Sequence, residues 1–103
     1  MEPLRRMGAE PVPCGLGDRS SLEAAARDCD IVLHAAGLFD HSATPEALLA
    51  VNSDGCRAMG EVASEAGARR MLLVSSVGVY GSAGSGIPED HPKTPKTPYD
   101  RSK

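Results

Sequence analysis

The sequence predicts an α/β fold in which helices connect the strands of a parallel sheet. Two apolar runs, D-I-V-L-H-A-A at 30–36 and R-R-M-L-L-V-S-S at 69–76, have the length of short buried strands. Between them apolar residues recur at helical spacing, and another predicted helix precedes the first run. Strand–helix–strand order of this kind implies a right-handed crossover between parallel strands.

The N-terminal part predicts a helix end, a short extended segment and a second helix. Residues 2–7 are predicted to be the tail of a helix that Gly8 closes. Residues 9–14 form an extended run, whose two prolines mark an edge strand or a strand end. Ser20 and Glu23 have the spacing of a capping box, which predicts a helix to about residue 28.

The two apolar runs are typical of strands that are buried on both faces, because neither alternates with polar residues. Thr44 and Pro45 predict the start of the connecting helix, as an N-cap residue followed by proline at the first helical position. Gly67 is predicted to end that helix. The segment 81–98 is dense in glycine and proline and predicts a loop, after which the last residues begin another helix.

Composition and charge exclude several classes of protein. The 103 residues carry a net charge of −3, without a basic cluster for nucleic acid or an anionic membrane. The apolar runs are far shorter than a membrane span, and the N-terminus lacks the apolar core of a signal peptide. Three cysteines without C-x-x-C spacing are typical of reduced thiols, so we expect a cytoplasmic protein. His34 lies in a predicted strand, and His41 and His91 lie in loops without a partner at metal-ligand spacing, so no metal site is predicted.

The chain ends on T-P-Y-D-R-S-K, in which Tyr99 and Lys103 would share one face of a helix. Y-x-x-x-K alone is a weak pattern, but here it follows H-A-A-G at 34–37, V-N-S-D-G at 51–55 and S-S-V-G-V-Y-G at 75–81. In this combination and order the chain resembles the extended short-chain dehydrogenase/reductase superfamily, specifically its NAD-dependent epimerase/dehydratase group.

The resemblance implies a partial Rossmann-type doubly wound parallel sheet. Residues 1–103 would form one partial NAD(P)-binding domain, without a second domain, and would supply the third to fifth strands with their connecting helices. In the strand order of that fold, the third strand (11–14) does not neighbour the fourth (31–35). We therefore predict that these two segments are not hydrogen-bonded to each other.

The glycine-rich turn that binds the cofactor pyrophosphate in this family is not predicted here. The family places G-x-x-G-x-x-G between its first strand and a helix N-terminus, and the chain has no such strand–turn–helix motif. C-G-L-G-D-R-S at 14–20 offers only G-x-G, with Ser20 where a third glycine would fall. We expect the chain alone to be inactive and to have negligible affinity for NAD. The choice between NAD and NADP stays open.

The resemblance implies three catalytic residues. Ser76, just past a strand, would hydrogen-bond the hydroxyl or carbonyl of the substrate. Tyr99 would move the proton while hydride passes to or from the nicotinamide, and Lys103 would favour the phenolate and bond the nicotinamide ribose. A neighbouring ammonium suits this chemistry, because an ordinary tyrosine, with a pKa of about 10, is a poor base at neutral pH.

The resemblance also implies contacts to the cofactor. Asp18 and Arg19 match the segment beside the adenine, and the small residues after the first strand would let the cofactor approach the backbone. Asn52 is a mediocre helix former within a predicted helix, which suggests a polar role near the site. The predicted cofactor-binding residues are Asp18, Arg19, Ala35, Ala36, Gly37, Asn52, Ser75, Tyr99 and Lys103.

Several functions fit this resemblance. Nucleotide-sugar epimerases and dehydratases compete with reductases of the hydroxysteroid or dihydroflavonol type, and the loop A-A-G-L-F-D-H-S-A is slightly more similar to the latter. The substrate would be a sugar nucleotide, a sterol-like molecule or another small hydroxyl or carbonyl compound, and a homodimeric parent is one option. The alternatives are a non-catalytic dinucleotide sensor of the same fold and an inactive truncated chain. A sensor, however, has no use for Ser76, Tyr99 and Lys103 together.

Overall fold

Helices and strands alternate along the chain, which the computed structural model describes over residues 2–40, 42–82 and 84–103. The helices are α1 (Glu2–Arg6), α2 (Arg19–Ala26), α3 (Pro45–Leu48), α4 (Gly55–Glu65) and α5 (Pro98–Ser102). The strands are β1 (Ile31–His34) and β2 (Arg70–Leu73). A π-helical segment (Leu49–Asp54) joins α3 to α4, and a 3₁₀ turn (Val77–Tyr80) follows β2.

The two strands lie side by side and run parallel, with Ile31 opposite Arg70 and His34 opposite Leu73. The α/β class with a parallel sheet is therefore confirmed. The strand expected at 11–14 does not form: no described strand pairs with this segment, and its two prolines have no N–H to donate to a ladder. The prediction that this segment is not hydrogen-bonded beside β1 is confirmed, since β1 pairs only with β2 in the sheet of the described residues.

One face of the sheet carries the hydrophobic core. Val32 and Met71 are opposite each other in the register and pack against α2 and α4. Val62 on α4 is 1% exposed, the most deeply buried large side chain of the described core. The core is aliphatic throughout and consists of Leu22, Ala26, Met59, Val62 and Ala63.

The other face of the sheet is uncovered. Ile31 is 54% exposed, Leu33 67% and Leu72 50%. The prediction that both strands are buried on both faces is thus wrong for this chain. Successive strand residues point to opposite faces, and α2 and α4 cover only the face that carries Val32 and Met71.

The segment between the strands is helical from Pro45 to Glu65, through α3, the π-helical segment and α4. Its predicted start is confirmed, because the Thr44 side chain accepts a hydrogen bond from the Ala47 N–H (3.2 Å). Its predicted end is also confirmed, since Gly67 has a φ of 78°, as a C′ glycine does. The six π-helical residues were not predicted from the sequence.

Helix α2 begins differently from the prediction. Its N-cap is Asp18 rather than Ser20, and its carboxylate accepts the Ser21 N–H (3.3 Å) and the Ser20 hydroxyl (2.9 Å). A carboxylate can accept several bonds at once, so the Ser20 hydroxyl donates to it instead of capping the helix. The Ser20 hydroxyl, more than the N–H groups, holds the pKa of Asp18 below its ordinary value. The predicted helix end before Gly8 is confirmed, with a φ of 83° at that glycine.

The segment 81–97 contains turns and irregular backbone at its described positions, as predicted for a loop. No described helix is both long and apolar enough to cross a membrane.

Candidate active site

The candidate site lies where β1 and β2 end. Because the strands are parallel, their carboxyl ends meet at one edge of the sheet, where doubly wound folds bind their ligands. There β1 leads into the exposed residues Ala35, Ala36 and Gly37, and β2 leads toward Ser75 and Ser76. The sheet thus brings together five of the predicted site residues.

Helix α5 adds Tyr99 and Lys103 to this edge. A capping box begins the helix: Thr97 Oγ1 accepts from the Asp100 N–H (3.1 Å), and Asp100 Oδ2 accepts from the Thr97 N–H (3.2 Å). Pro98 occupies the first turn, where its missing N–H costs nothing. The predicted helix at the end of the chain is confirmed, with Tyr99 in its first turn and Lys103 as its C-cap.

Asn52 connects three segments beneath this site. Only 5% of it is exposed, and its Oδ1 accepts the Leu38 N–H at 2.6 Å. Its Nδ2 donates to the Leu38 carbonyl (3.0 Å) and to Ser102 Oγ (2.9 Å). π-helical segments of this kind often occur at functional sites. The predicted polar role of Asn52 near the site is therefore consistent with its position, although its N–H groups bind protein atoms.

The Lys103 ammonium lies beside Gly37. A Cβ atom built on Gly37 would be 3.3 Å from Lys103 Nζ and 3.1 Å from Asn52 Oδ1. Glycine therefore leaves room for the Asn52 and Lys103 side chains to lie close against the backbone at the carboxyl edge of the sheet. Ser75 Oγ donates to the Lys103 carbonyl (3.3 Å) and so ties α5 to the end of β2. Gly37 is itself exposed, so a cofactor could approach its backbone beside this ammonium.

Ser76 lies at the start of the 3₁₀ turn, against α5. Its Oγ accepts the Gly78 N–H at 3.2 Å, which makes Ser76 the N-cap of that turn. Gly78 in turn lies against the Asp100 carboxylate of α5. The Tyr99 ring contacts Phe39 edge-on, with ring centroids 4.9 Å apart, so an exposed aromatic side chain lies beside the candidate acid–base residue.

The described side-chain contacts of Asp18 and Arg19 do not involve the residues at the carboxyl ends of the strands. Arg19 instead joins α2 to α4 through ion pairs with Glu23 (2.9 Å), Glu61 (3.1 Å) and Glu65 (2.6 Å). The carboxylate of Glu65, followed by those of Glu61 and Glu23, raises the pKa of Arg19 above its ordinary value. The side chains of both residues thus stabilise helices, and a contact of this segment with adenine stays a prediction.

His34 ends β1 and is buried, as its place in a strand predicts, with 4% exposed. Its Nε2 has no hydrogen-bond partner within the described chain. Burial, and after it the positive charge of Lys103, lowers the pKa of His34. No group of three or more potential metal ligands occurs among the described residues, and His41 lies outside them.

The letters of the glycine-rich pattern do occur once, at Gly78, Gly81 and Gly84. In the structure Gly78 belongs to the 3₁₀ turn and Gly81 caps it with a φ of 67°. Turns and irregular backbone follow at the described positions, rather than a helix. The described residues of this segment therefore offer no helix N-terminus on which a pyrophosphate could bind.

Sequence reasoning missed Ser102 and Leu38. Ser102 is 2% exposed and bonds both Asn52 and the Tyr99 carbonyl. Its only local signal is its place three residues after Tyr99, from which a helical serine can bond back to the backbone. Leu38 takes part through its backbone, which no side-chain pattern reveals.

Comparison with known proteins identifies the family of this chain. The family model for the NAD dependent epimerase/dehydratase family matches residues 2–103. A ceramide reductase of Caulobacter vibrioides is 40% identical over 73 residues, which are 71% of this chain and 22% of that protein.

Solved structures resemble the chain over most of its length. A short-chain dehydrogenase/reductase superfamily protein of Agrobacterium tumefaciens with bound NAD has a TM-score of 0.81 and 31% identity, covering 99% of this chain and 37% of that one. A dTDP-glucose 4,6-dehydratase of Streptomyces venezuelae with NAD and TYD bound has a TM-score of 0.80 and 30% identity, covering 87% and 29%. The chain thus spans well under half of these relatives. The chain belongs to the NAD-dependent epimerase/dehydratase family.

Proposed function

We propose that this chain is the catalytic segment of a longer NAD(P)-dependent enzyme that acts on a hydroxyl or carbonyl group of a small molecule. The observation that carries the proposal is the position of the Lys103 ammonium close against the exposed Gly37, at the carboxyl edge of a parallel sheet. Tyr99 belongs to the same short helix as Ser102, which is bonded to Asn52. This arrangement supports a proton-transfer site next to a nicotinamide.

Each residue has a role that its contacts allow. Ser76 Oγ accepts from the Gly78 N–H, and no described bond uses its own proton, so Ser76 is free to donate to the substrate oxygen. Tyr99 would move the proton to or from that oxygen, and the Lys103 ammonium would donate to the ribose. When bound, the nicotinamide supplies or accepts the hydride.

The cofactor would lie along the ends of the strands. The small residues Ala35, Ala36 and Gly37 allow it to approach the backbone, and the exposed Ser75 lies beside them at the end of β2. The pyrophosphate would be bound by a glycine-rich turn elsewhere in the longer protein, because no helix begins at the described residues of 78–84.

We favour a reductase that acts on an apolar substrate. Phe39 is 68% exposed and packs edge-on against Tyr99, which provides an apolar wall beside the proposed reacting group. The 40% identity to a ceramide reductase supports the same choice. A nucleotide-sugar dehydratase or epimerase is the second candidate, supported by the likeness to a dTDP-glucose 4,6-dehydratase.

The substitution Tyr99→Phe in the longer enzyme tests the chemistry. We expect the catalytic rate, followed by NAD(P)H absorbance, to fall by about 10²-fold or more, because general acid–base catalysis contributes on that order. Cofactor affinity measured by calorimetry should remain, since the helix and Lys103 are retained. Tyr80→Phe is the matched control: its hydroxyl donates to the Glu89 carbonyl in the loop, so the rate should stay within a few-fold.

Two results would contradict the proposal. An unchanged rate in Tyr99→Phe would refute the assignment of the acid–base residue. The substrate preference is tested with a long-chain ketone, a sterol ketone and a sugar nucleotide, and turnover of the sugar nucleotide alone would favour the second candidate.

A further inference from the structure

Ser102 is a buried polar residue that lies in sequence between Tyr99 of α5 and Lys103, the C-cap of that helix. Its Oγ donates to the Tyr99 carbonyl (2.7 Å) and accepts from Asn52 Nδ2 (2.9 Å). A serine hydroxyl has one proton, and here it is given to Tyr99. The bond to Asn52 must therefore run from the amide to the hydroxyl, which fixes how the Asn52 amide is turned.

The orientation of Asn52 in turn holds the loop after β1. Its second amide N–H donates to the Leu38 carbonyl (3.0 Å), and its Oδ1 accepts the Leu38 N–H (2.6 Å). Both N–H groups of Asn52 are thus used within the protein, and none is left for a cofactor. Since Leu38 directly follows Gly37, this pair of bonds places the backbone on which the nicotinamide half would lie.

Further side-chain bonds hold the last turn of α5. Ser53 Oγ donates to the Ser102 carbonyl (3.3 Å), and Ser75 Oγ donates to the Lys103 carbonyl (3.3 Å). Carbonyls at a helix C-terminus have no partner within the helix, and a helix of five residues is not stable by itself. The place of α5 therefore depends on its bonds to other segments.

We infer that Ser102 is a positioning residue: through Asn52 it holds Tyr99 and Lys103 in place relative to the loop that carries Gly37 and Leu38. This inference rests on the proposed function and assigns Asn52 a positioning role rather than a direct contact with the cofactor. Removal of the Ser102 hydroxyl leaves a buried amide N–H without an acceptor, so the amide turns or takes up water. Either response separates α5 from Asn52 and, because the amide is less fixed, weakens its bonds to Leu38.

The first test is kinetic and uses the longer enzyme. Ser102→Ala should lower kcat by about 10- to 100-fold, because small misplacements of reacting groups cost on that order. The KM for the cofactor should rise by a smaller factor than kcat falls, because Lys103 is still present although its position is less fixed. Ser102→Thr, which keeps the hydroxyl, should recover most of the rate. Ser64→Ala, the same change at an exposed position of α4, should leave kcat unchanged.

The second test needs neither cofactor nor turnover. In Ser102→Ala, amide hydrogen exchange at Leu38 should become about tenfold faster. The reason is that the bond from the Leu38 N–H to Asn52 Oδ1, 14 residues away in sequence, is weakened. A residue that only filled space would not alter exchange in that loop. The double variant Asn52→Ala/Ser102→Ala should be no slower in turnover than the slower single variant, since the two residues act as one unit.

The outcomes separate this inference from the proposed function. If Tyr99→Phe is inactive but Ser102→Ala keeps its kcat and its Leu38 exchange, the positioning role is refuted and the proposed function stands. If Tyr99→Phe is fully active, the proposed function fails. Should Ser102→Ala not fold, Ser102→Cys decides by the same criteria, because it keeps the volume but replaces a strong acceptor by a weak one.

Discussion

Replacement of Gly78 by alanine tests how the 3₁₀ turn after β2 is fitted to α5. A Cβ atom at this position would lie 2.8 Å from Asp100 Cγ and closer still to Asp100 Oδ1, well inside normal contact distance. The Asp100 carboxylate would have to swing away, and its Oδ2 would lose the Thr97 N–H that it accepts at 3.2 Å. The substitution therefore acts on the N-terminal cap of the helix that carries Tyr99.

The expected cost follows from these contacts. Loss of a capping bond costs about 1 kcal/mol, and crowding that is not relieved costs about 1–3 kcal/mol. We expect a local destabilisation of about 1–3 kcal/mol, which corresponds to about 5- to 150-fold faster amide exchange in α5. Amide exchange is the suitable assay, because it reports the local opening of α5 rather than global unfolding.

A second substitution tests whether the Asp100 carboxylate is the group that collides with a Cβ atom at position 78. Asp100→Ala removes the carboxylate that would collide, so Gly78→Ala/Asp100→Ala should exchange no faster than Asp100→Ala alone. Gly15→Ala is the control, since no atom lies within 4 Å of its Cβ position. If Gly78→Ala were harmless, or equally harmful without the Asp100 carboxylate, the described contact would not be what requires glycine.

Two further predictions concern the loop and the buried histidine. Gly81→Ala should lower thermal stability more than Gly86→Ala. Both glycines have positive φ (67° and 70°), but of the two only Gly81 would place a Cβ against the Thr94 carbonyl. Equal losses in thermal stability would contradict this prediction. Burial, and after it the charge of Lys103, lowers the pKa of His34. Below the ordinary pKa of 6.5 the unfolded chain therefore binds more protons than the folded chain. The free energy of unfolding then decreases as the pH is lowered, by at most about 1.4 kcal/mol per pH unit. His34→Gln should remove this slope in urea denaturation, whereas a slope that persists would assign it to another group.

Local sequence was sufficient for much of the secondary structure. Thr44 before Pro45 set the start of the connecting helix, and Gly67 set its end. Such caps depend on hydrogen bonds within three or four residues, so neighbouring letters contain the information. The same locality allowed Tyr99 and Lys103 to be assigned to one short helix.

Other local signals were incomplete. The capping-box spacing of Ser20 and Glu23 pointed to the wrong N-cap, because the Asp18 carboxylate competes for the same N–H groups. The apolar runs predicted strands but not their exposure, since burial depends on which elements pack on each face of the sheet.

The sequence by itself therefore determined the order of the two strands and the helices that follow them, the caps at Thr44 and Gly67, and most of the residues at the candidate site. Tertiary structure decided how those residues are held: the π-helical turn of the chain at Asn52, its bond to Ser102 and the place of Lys103 beside Gly37. The physical reason is the separation along the chain, 50 residues between Asn52 and Ser102. A hydrogen bond over that distance exists only once the sheet and the connecting helix have brought both segments together, and no local spacing encodes it.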